Sequence, residues 1–189
     1  MEGNGHGLDP LVPDRQRDES FMRQALFEAQ AALEAGETPV GAVAVHDGRI
    51  VARDHNRVER LTDATAHAEI LVIGAAAGAI EDWRLNEVTL YVTMEPCPMC
   101  TGALLLARVK RVVYGVRDGR AGACGTKLDL VQANPFGHDL RVSDGCLEDE
   151  CLVFGGTVLV TAARLGFTGR TVAVAALVRL DGDHLEDHL

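Results

Sequence analysis

The stretch VTLYVTMEPCPMCTGALLLARVKRVVYGV, residues 88–116, decides the fold class of this chain. Residues 88–93 and 111–116 predict two β-strands, and residues 97–107 between them predict a helix. Pro96 supports this boundary, because proline is favoured where helices begin. A strand, a helix and a second strand in succession are typical of parallel strands joined by a crossover. The stretch therefore predicts an α/β layered domain with a partly parallel sheet.

The preceding residues predict two further helices and an antiparallel pair of strands. Ser20 is expected to cap a helix whose apolar residues recur at three- and four-residue intervals. Strands over 40–45 and 49–53 are joined by Asp47-Gly48, a strong hairpin signal. An alanine-rich segment, 66–78, predicts a buried helix. The sheet is therefore expected to be mixed.

Length and composition fit one packed domain. The chain has 189 residues, of which 47% are hydrophobic and 24% charged. No run of about 18 uncharged apolar residues predicts a membrane span, and the N-terminus lacks the apolar centre of a secretory signal. We therefore expect a cytoplasmic protein without a membrane partner. We expect a flexible N-terminal arm at 1–17, the domain at 18–151 and a separate C-terminal tail at 152–189.

The formal net charge of −10 argues against general binding to nucleic acids, but one segment is basic. Between positions 105 and 127, six basic residues accompany one acid. This segment is either a phosphate-facing patch or a solvated face. The six residues, called here the basic segment, are Arg108, Lys110, Arg111, Arg117, Arg120 and Lys127.

Three residues form a candidate zinc-binding set. His67, Cys97 and Cys100 offer imidazole and thiolate ligands, and a catalytic zinc site uses three protein ligands with one open position. Cys-x-x-Cys at a helix start places both sulfurs on the first turn, where the helix dipole favours thiolates. The same pair fits a redox motif or half of a structural zinc site. No second close cysteine pair completes a structural site.

Glu69 follows His67 by two residues and suggests catalysis. A carboxylate offset from a metal ligand can reach the bound water rather than the metal. In a dry pocket its raised pKa suits proton transfer near neutral pH. A solvent-facing glutamate fits poorly, because the neighbouring residues are small or apolar.

Taken together, these motifs resemble the zinc-dependent cytidine/deoxycytidylate deaminase superfamily, and most closely its bacterial tRNA-specific adenosine deaminases. The resemblance runs from about Ser20 to Cys151. The chain is similar to that family in the stretches TAHAEI (65–70), TLYVTMEPCPMC (89–100) and RVVYGVRD (111–118). The stretch RDGRAGACG, 117–125, favours the tRNA branch over guanine and cytosine deaminases.

The resemblance implies a three-layer α/β/α cytidine-deaminase-like domain with a mixed central sheet. It implies a homodimer with one Zn²⁺ per subunit, held by His67, Cys97 and Cys100. Glu69 would be the catalytic acid/base. The implied activity is hydrolytic deamination of adenosine to inosine at the wobble position of a tRNA anticodon stem-loop, with arginine tRNA expected.

The resemblance also implies substrate contacts. Asn56 matches the position that hydrogen-bonds the base, and Val40 matches an apolar pocket wall. The backbone amides of Ala68 and Cys97 would lie beside the reacting group. The loop that begins with Asp118 and contains Arg120 corresponds to one that meets the RNA, which favours the phosphate-facing interpretation of the basic segment.

Three departures from the family pattern affect these expectations. Ala64 replaces a usual proline, and Gly137-His138-Asp139 replaces a common Asn-His, which puts a nucleotide contact in doubt. After Cys151 the basic amphipathic helix of the family is replaced by an apolar tail. The tail is either a divergent extension or the product of a shifted reading frame.

Two other functions fit the same residues. Without the basic helix, the chain can be a deaminase of a free nucleobase or nucleoside, of the guanine or cytosine type. It can also be a non-catalytic, zinc-stabilised binding module. Glu69 disfavours the binding module, because a structural metal site has no use for that carboxylate.

Overall fold

A computed structural model describes residues 15–156, which form a five-stranded sheet with helices on both faces. The helices are α1 (Arg15–Glu34), α2 (Val58–Leu61), α3 (Ala68–Ile80), α4 (Pro98–Leu106) and α5 (Glu148–Cys151). The strands are β1 (Gly41–His46), β2 (Arg49–His55), β3 (Thr89–Met94), β4 (Arg111–Val116) and β5 (Arg141–Ser143). A π-helical turn, Leu152–Gly156, follows α5.

The sheet is mixed, as the sequence predicts. Its strand order is β2-β1-β3-β4-β5. The strand β1 pairs antiparallel with both β2 and β3, whereas β3–β4 and β4–β5 are parallel. The parallel pair β3–β4 is joined through α4, so the crossover expected from residues 88–116 is confirmed.

Alternating side chains on the strands divide the core into two layers. Val43 and Tyr91 lie in the apolar cluster formed with α1. Ala42, Leu90 and Val112 lie in the cluster on the opposite face, together with buried residues of α3 and α4. Because consecutive strand residues point to opposite faces, these two clusters place helices above and below the sheet. The three-layer α/β/α fold is therefore confirmed.

The helix α1 lies very close to the sheet at Gly41. A Cβ atom at this position would come within 2.1 Å of the Ala25 carbonyl oxygen. Glycine therefore permits the backbone contact that brings α1 onto β1.

The predicted start of the first helix was wrong. The helix begins at Arg15, so Ser20 lies inside it instead of capping it. Asp18, at 6% exposure, explains the longer helix: it accepts a hydrogen bond from the Tyr91 hydroxyl (2.7 Å) and pairs with Arg111. The expected arm at 1–17 thus includes three helical residues, and the rest of it lies outside the described residues.

The end of the domain was predicted less completely than its centre. The short elements β5 and α5 near this end were not expected, and neither was α2 in the first half of the domain. Cys151 is fully buried, and a Cβ atom at Gly115 would come within 2.2 Å of its Sγ atom. Of the tail expected at 152–189, only the π-helical turn belongs to the described residues. Within 15–156, no helix combines the length and apolar character needed to span a membrane.

Candidate active site

Two helix starts meet beside the carboxyl end of β3. His67 is the N-cap of α3, and Cys97 is the N-cap of α4, with Pro98 at the first helical position. Cys100 lies in the first turn of α4. In both cases an extended residue precedes the helix, which turns the candidate ligands toward one point.

The three candidate metal ligands come together as the sequence predicts. Their ligand atoms all lie within 4.8 Å of one another, and no other such group occurs among residues 15–156. The His67 Nδ1 atom is 3.5 Å from Cys100 Sγ and 3.7 Å from Cys97 Sγ. Nitrogen and sulfur ligands of one tetrahedral zinc ion lie about 3.5 Å apart, given Zn–N and Zn–S bonds of about 2.0 and 2.3 Å. The donor types and spacing therefore fit zinc.

The two thiols have opposite pKa shifts. Hydrogen bonding, from Cys100 first and also from His67, lowers the pKa of Cys97 to about 4 despite partial burial. The pKa of Cys100 is raised, because it shares its proton with Cys97 and is buried. One of the two sulfurs thus keeps its proton, and both can be ionised together only when a cation balances their charge.

Glu69 is buried in the first turn of α3 and lines the same cavity as His67. Only 4% of the residue is exposed. Burial is the main cause of a raised pKa, because the ionised carboxylate loses its hydration. This carboxyl group can therefore hold a proton at a higher pH than a surface glutamate.

A cavity of about 250 Å³ opens above these residues. It unites seven of the nine predicted site residues, while Cys100 and Ala68 are fully buried and are not part of its wall. The cavity is lined by Thr38, Val40, Asn56, His67, Glu69, Met94, Glu95, Cys97, Asp118, Arg120 and Ala121.

Asn56 and Ala68 are connected directly. The Ala68 backbone N–H donates to Asn56 Oδ1 at 3.2 Å, and the Asn56 N–H donates to the Val40 carbonyl at 3.0 Å. In this structure the Ala68 amide orients Asn56, and its expected place beside the reacting group stays a prediction. The bond leaves the Asn56 Nδ2 group as the donor available to a base.

Two buried glutamates beside the cavity were missed. Glu37 accepts hydrogen bonds from the backbone N–H groups of Glu59 and Arg60, at the start of α2. Glu95 accepts three backbone hydrogen bonds from the loop 117–126. Glu95 stands next to the candidate ligand motif, which was the available signal, whereas nothing local distinguishes Glu37.

The basic segment does not form one patch, which corrects that expectation. Arg111 is the first residue of β4 and Arg117 follows its last residue, so the length of the strand separates the two by roughly 20 Å. Arg111 pairs with Asp18, and Arg117 pairs with Asp144. Lys110 pairs with Glu87 at the end of the sheet away from the cavity. Of the six residues, Arg120 alone lines the cavity.

His138, in the segment that departs from the family pattern, is directed toward protein. Its Nε2 atom lies 2.7 Å from the Val109 carbonyl oxygen. The ring nitrogen is therefore engaged with the backbone, in agreement with the doubt about a nucleotide contact there.

Comparison with known proteins shows that this chain is similar to deaminases. The MafB19-like deaminase family matches residues 16–141. A Bacillus subtilis (strain 168) protein named tRNA-specific adenosine deaminase is 50% identical over 135 residues, covering 71% of this chain and 84% of that protein.

Two solved structures share the fold. One, from a study of A-to-I editing by tRNA:A34 deaminases at the wobble position of transfer RNA, has a TM-score of 0.68 and 44% identity, and the match covers 70% of this chain and 96% of the other. The other, a guanine deaminase from Bacillus subtilis, has a TM-score of 0.53 and 37% identity, with 61% and 74% covered.

Proposed function

Because this chain belongs to the tRNA-specific adenosine deaminase family, we propose that it converts adenosine to inosine at the wobble position of a tRNA, with arginine tRNA as the expected substrate. The observation that carries this proposal is the cavity in which His67, Cys97 and Glu69 meet Asn56 and Arg120. It combines a metal-binding set, a proton carrier and groups suited to a nucleotide.

We propose one Zn²⁺ per subunit, held by His67, Cys97 and Cys100. The support is the donor set and its spacing, with ligand atoms 3.5 and 3.7 Å apart. When bound, zinc supplies a water nucleophile at neutral pH. The start of α4, with Cys97 as its N-cap, stabilises the negative charge on the sulfurs.

Glu69 is the proposed acid/base. Its carboxyl group takes the proton from the attacking water and delivers it to the amino nitrogen that leaves as ammonia. Its burial suits both steps, because a raised pKa lets the carboxyl group hold the proton between them. The 4% exposure of Glu69 also restricts the access of other water to this carboxyl group.

Asn56 and Val40 are proposed to hold the flipped base. Asn56 donates from Nδ2, in the orientation set by its bond to the Ala68 amide. Val40 provides an apolar wall, which favours stacking over hydration. The Cys97 amide remains a proposed contact beside the reacting group.

Asp118 and Arg120 are proposed to contact the RNA at the cavity entrance. The Arg120 side chain is 78% exposed, whereas that of Asp118 is 11% exposed and accepts a hydrogen bond from the Arg120 backbone N–H. Arg120 is therefore free to reach a phosphate while Asp118 shapes the loop. Homodimer formation and a cytoplasmic location are also proposed, on the basis of the family resemblance and a tRNA substrate.

The decisive experiment compares an arginine-tRNA anticodon stem-loop with free adenosine, guanine and cytosine as substrates. Inosine formation in the stem-loop, without comparable turnover of the free compounds, is the expected result. Equal rates on adenosine and the stem-loop would contradict an RNA substrate. Turnover of guanine or cytosine alone would favour a free-base deaminase, and no turnover by zinc-loaded protein would favour a binding module.

A further inference from the structure

A buried carboxylate holds the loop at the cavity entrance. Glu95 is 3% exposed and follows β3 directly. Its Oε2 atom accepts from the Asp118 N–H at 3.0 Å, and its Oε1 atom accepts from the N–H groups of Cys124 (3.0 Å) and Thr126 (3.2 Å). Both ends of the loop 117–126 are therefore bound to one side chain.

The loop closes tightly around this carboxylate. A Cβ atom at Gly122 would lie 2.3 Å from Glu95 Oε2 and 2.7 Å from the Asp118 carbonyl oxygen. That carbonyl oxygen accepts the Gly122 N–H at 2.9 Å. Glycine at this position thus allows the loop to wrap over Glu95.

The bonds to Glu95 reach the residues that face the substrate. The Asp118 backbone N–H is held by Glu95 Oε2. The Asp118 carboxylate in turn accepts a 2.8 Å hydrogen bond from the Arg120 backbone N–H. This places Arg120 and Ala121 at the cavity wall. The exposed Arg120 side chain forms only a 3.8 Å ion pair within the described residues, so its position depends largely on the loop backbone.

We propose that Glu95 is a positioning residue for RNA binding, which acts by holding the loop 117–126 so that Arg120 faces the anticodon arm. This inference rests on the proposed function. Glu95 itself accepts backbone hydrogen bonds and needs no contact with the reacting atoms.

The test is the Glu95→Gln variant, assayed on the stem-loop. The new NH₂ group must face at least one backbone N–H that now donates to a carboxylate oxygen. We expect KM to rise about 5–100-fold, the range for one unsatisfied buried donor, while kcat and zinc content stay near the parent values. A fall in kcat with unchanged KM would overturn the proposal.

A double-mutant cycle separates positioning from general damage. If Glu95 acts through Arg120, the Glu95→Gln/Arg120→Ala protein should have nearly the kcat/KM of Glu95→Gln alone. Glu37→Gln is the matched control, because Glu37 is also buried and accepts backbone N–H groups, but from α2. The fold-changes in kcat/KM caused by Glu37→Gln and by Arg120→Ala should multiply in the double variant. Multiplicative effects for Glu95 and Arg120 would contradict the inference.

Gly122→Ala provides an independent variant that leaves Glu95 intact. Its Cβ should displace the loop from the carboxylate and raise KM in the same way. If both variants lose zinc or fail to fold, Glu95 is a folding element and the proposal is wrong. If the parent protein does not deaminate the stem-loop but Glu95→Gln still weakens stem-loop binding, the proposed function fails while the positioning role stands.

Discussion

The floor and the rim of the cavity are built in different ways. The floor consists of His67, Glu69 and Cys97, which line the cavity, and of the buried Cys100 next to them; all four lie at the starts of α3 and α4. The rim is the loop 117–126, which has no helix or strand and is held by Glu95. Helix starts thus hold the residues proposed for chemistry. The loop residues proposed for RNA binding are held instead by the carboxylate of Glu95, which is 23–31 residues away in the sequence. Changes to the floor should affect the reaction itself, and changes to the rim should affect recognition.

The largest effect is expected from removing a floor ligand. Cys97→Ser and Cys100→Ser should lose zinc and activity, because both remove one of three protein ligands. Metal analysis should find about one zinc per chain in the parent and much less in both variants. Cys146→Ser is the control, since Cys146 lies beside the α1 face of the sheet. Full zinc retention by either ligand variant would contradict the assignment.

Glu69→Ala should separate catalysis from metal binding within the floor. The variant should keep zinc and fold but lose about 10²–10⁴-fold in kcat, the range for a positioned acid/base. Glu69→Gln preserves the shape and should show a similar loss. Stem-loop kinetics and metal analysis of the same preparations provide the measurement. Near-parent turnover by Glu69→Ala would show that the carboxylate is structural.

The sequence predicted which residues meet in the floor because two short motifs carry the signal. His67 and Glu69 are two positions apart and Cys97 and Cys100 three, and the donor types and the family resemblance link the two motifs across 30 and 33 residues. The helix that begins after Cys97 and the strand β4 follow from local periodicity. The start of α1 was wrong because Asp18 is buried by partners 73 and 93 residues away, Tyr91 and Arg111. The strand β5 was missed because three partly exposed residues carry no periodic signal.

The rim shows a second limit of sequence reasoning. Charge along the chain suggested one basic patch, but β4 separates its members and acidic partners occupy several of them. A sequence reveals the number of charges in a segment, whereas pairing between distant residues decides which charges remain available. Similarly, the attachment of the loop to Glu95 spans 23–31 residues and has no local pattern.

Substitutions of Arg111 and Arg120 should therefore differ in their effect on the stability of the protein. Arg111 donates to both carboxylate oxygens of Asp18, and the side chains of this pair are 14% and 8% exposed. Arg111→Ala leaves a buried carboxylate unpaired and should lower the free energy of unfolding by about 3 kcal/mol. Arg120→Ala should change it by less than about 0.5 kcal/mol. Urea denaturation of the two variants measures the difference, and equal stabilities would contradict it.

Arg120→Ala should instead weaken RNA binding. Loss of one phosphate contact should reduce the slope of log affinity against log salt by about 0.7. Lys110→Ala is the control, because Lys110 lies at the opposite end of the sheet and pairs with Glu87. Binding of the stem-loop across a salt series provides the measurement. An equal change of slope in both variants would show that the RNA covers a much larger face than the rim.

The smallest effect is expected from thiol reagents at the rim. Cys124 belongs to the loop 117–126, yet burial raises the pKa of its thiol to about 12, and its Sγ atom lies 3.4 Å from Thr101 Oγ1. Because the thiolate is the reactive form, iodoacetamide at pH 8 should leave Cys124 of the zinc-loaded protein unmodified. Mass spectrometry of native and denatured protein gives the labelling at each cysteine. Rapid labelling of Cys124 in the native protein would show that the loop opens away from the sheet. The hydrogen bonds to Glu95 would then hold the rim less firmly than the helices hold the floor.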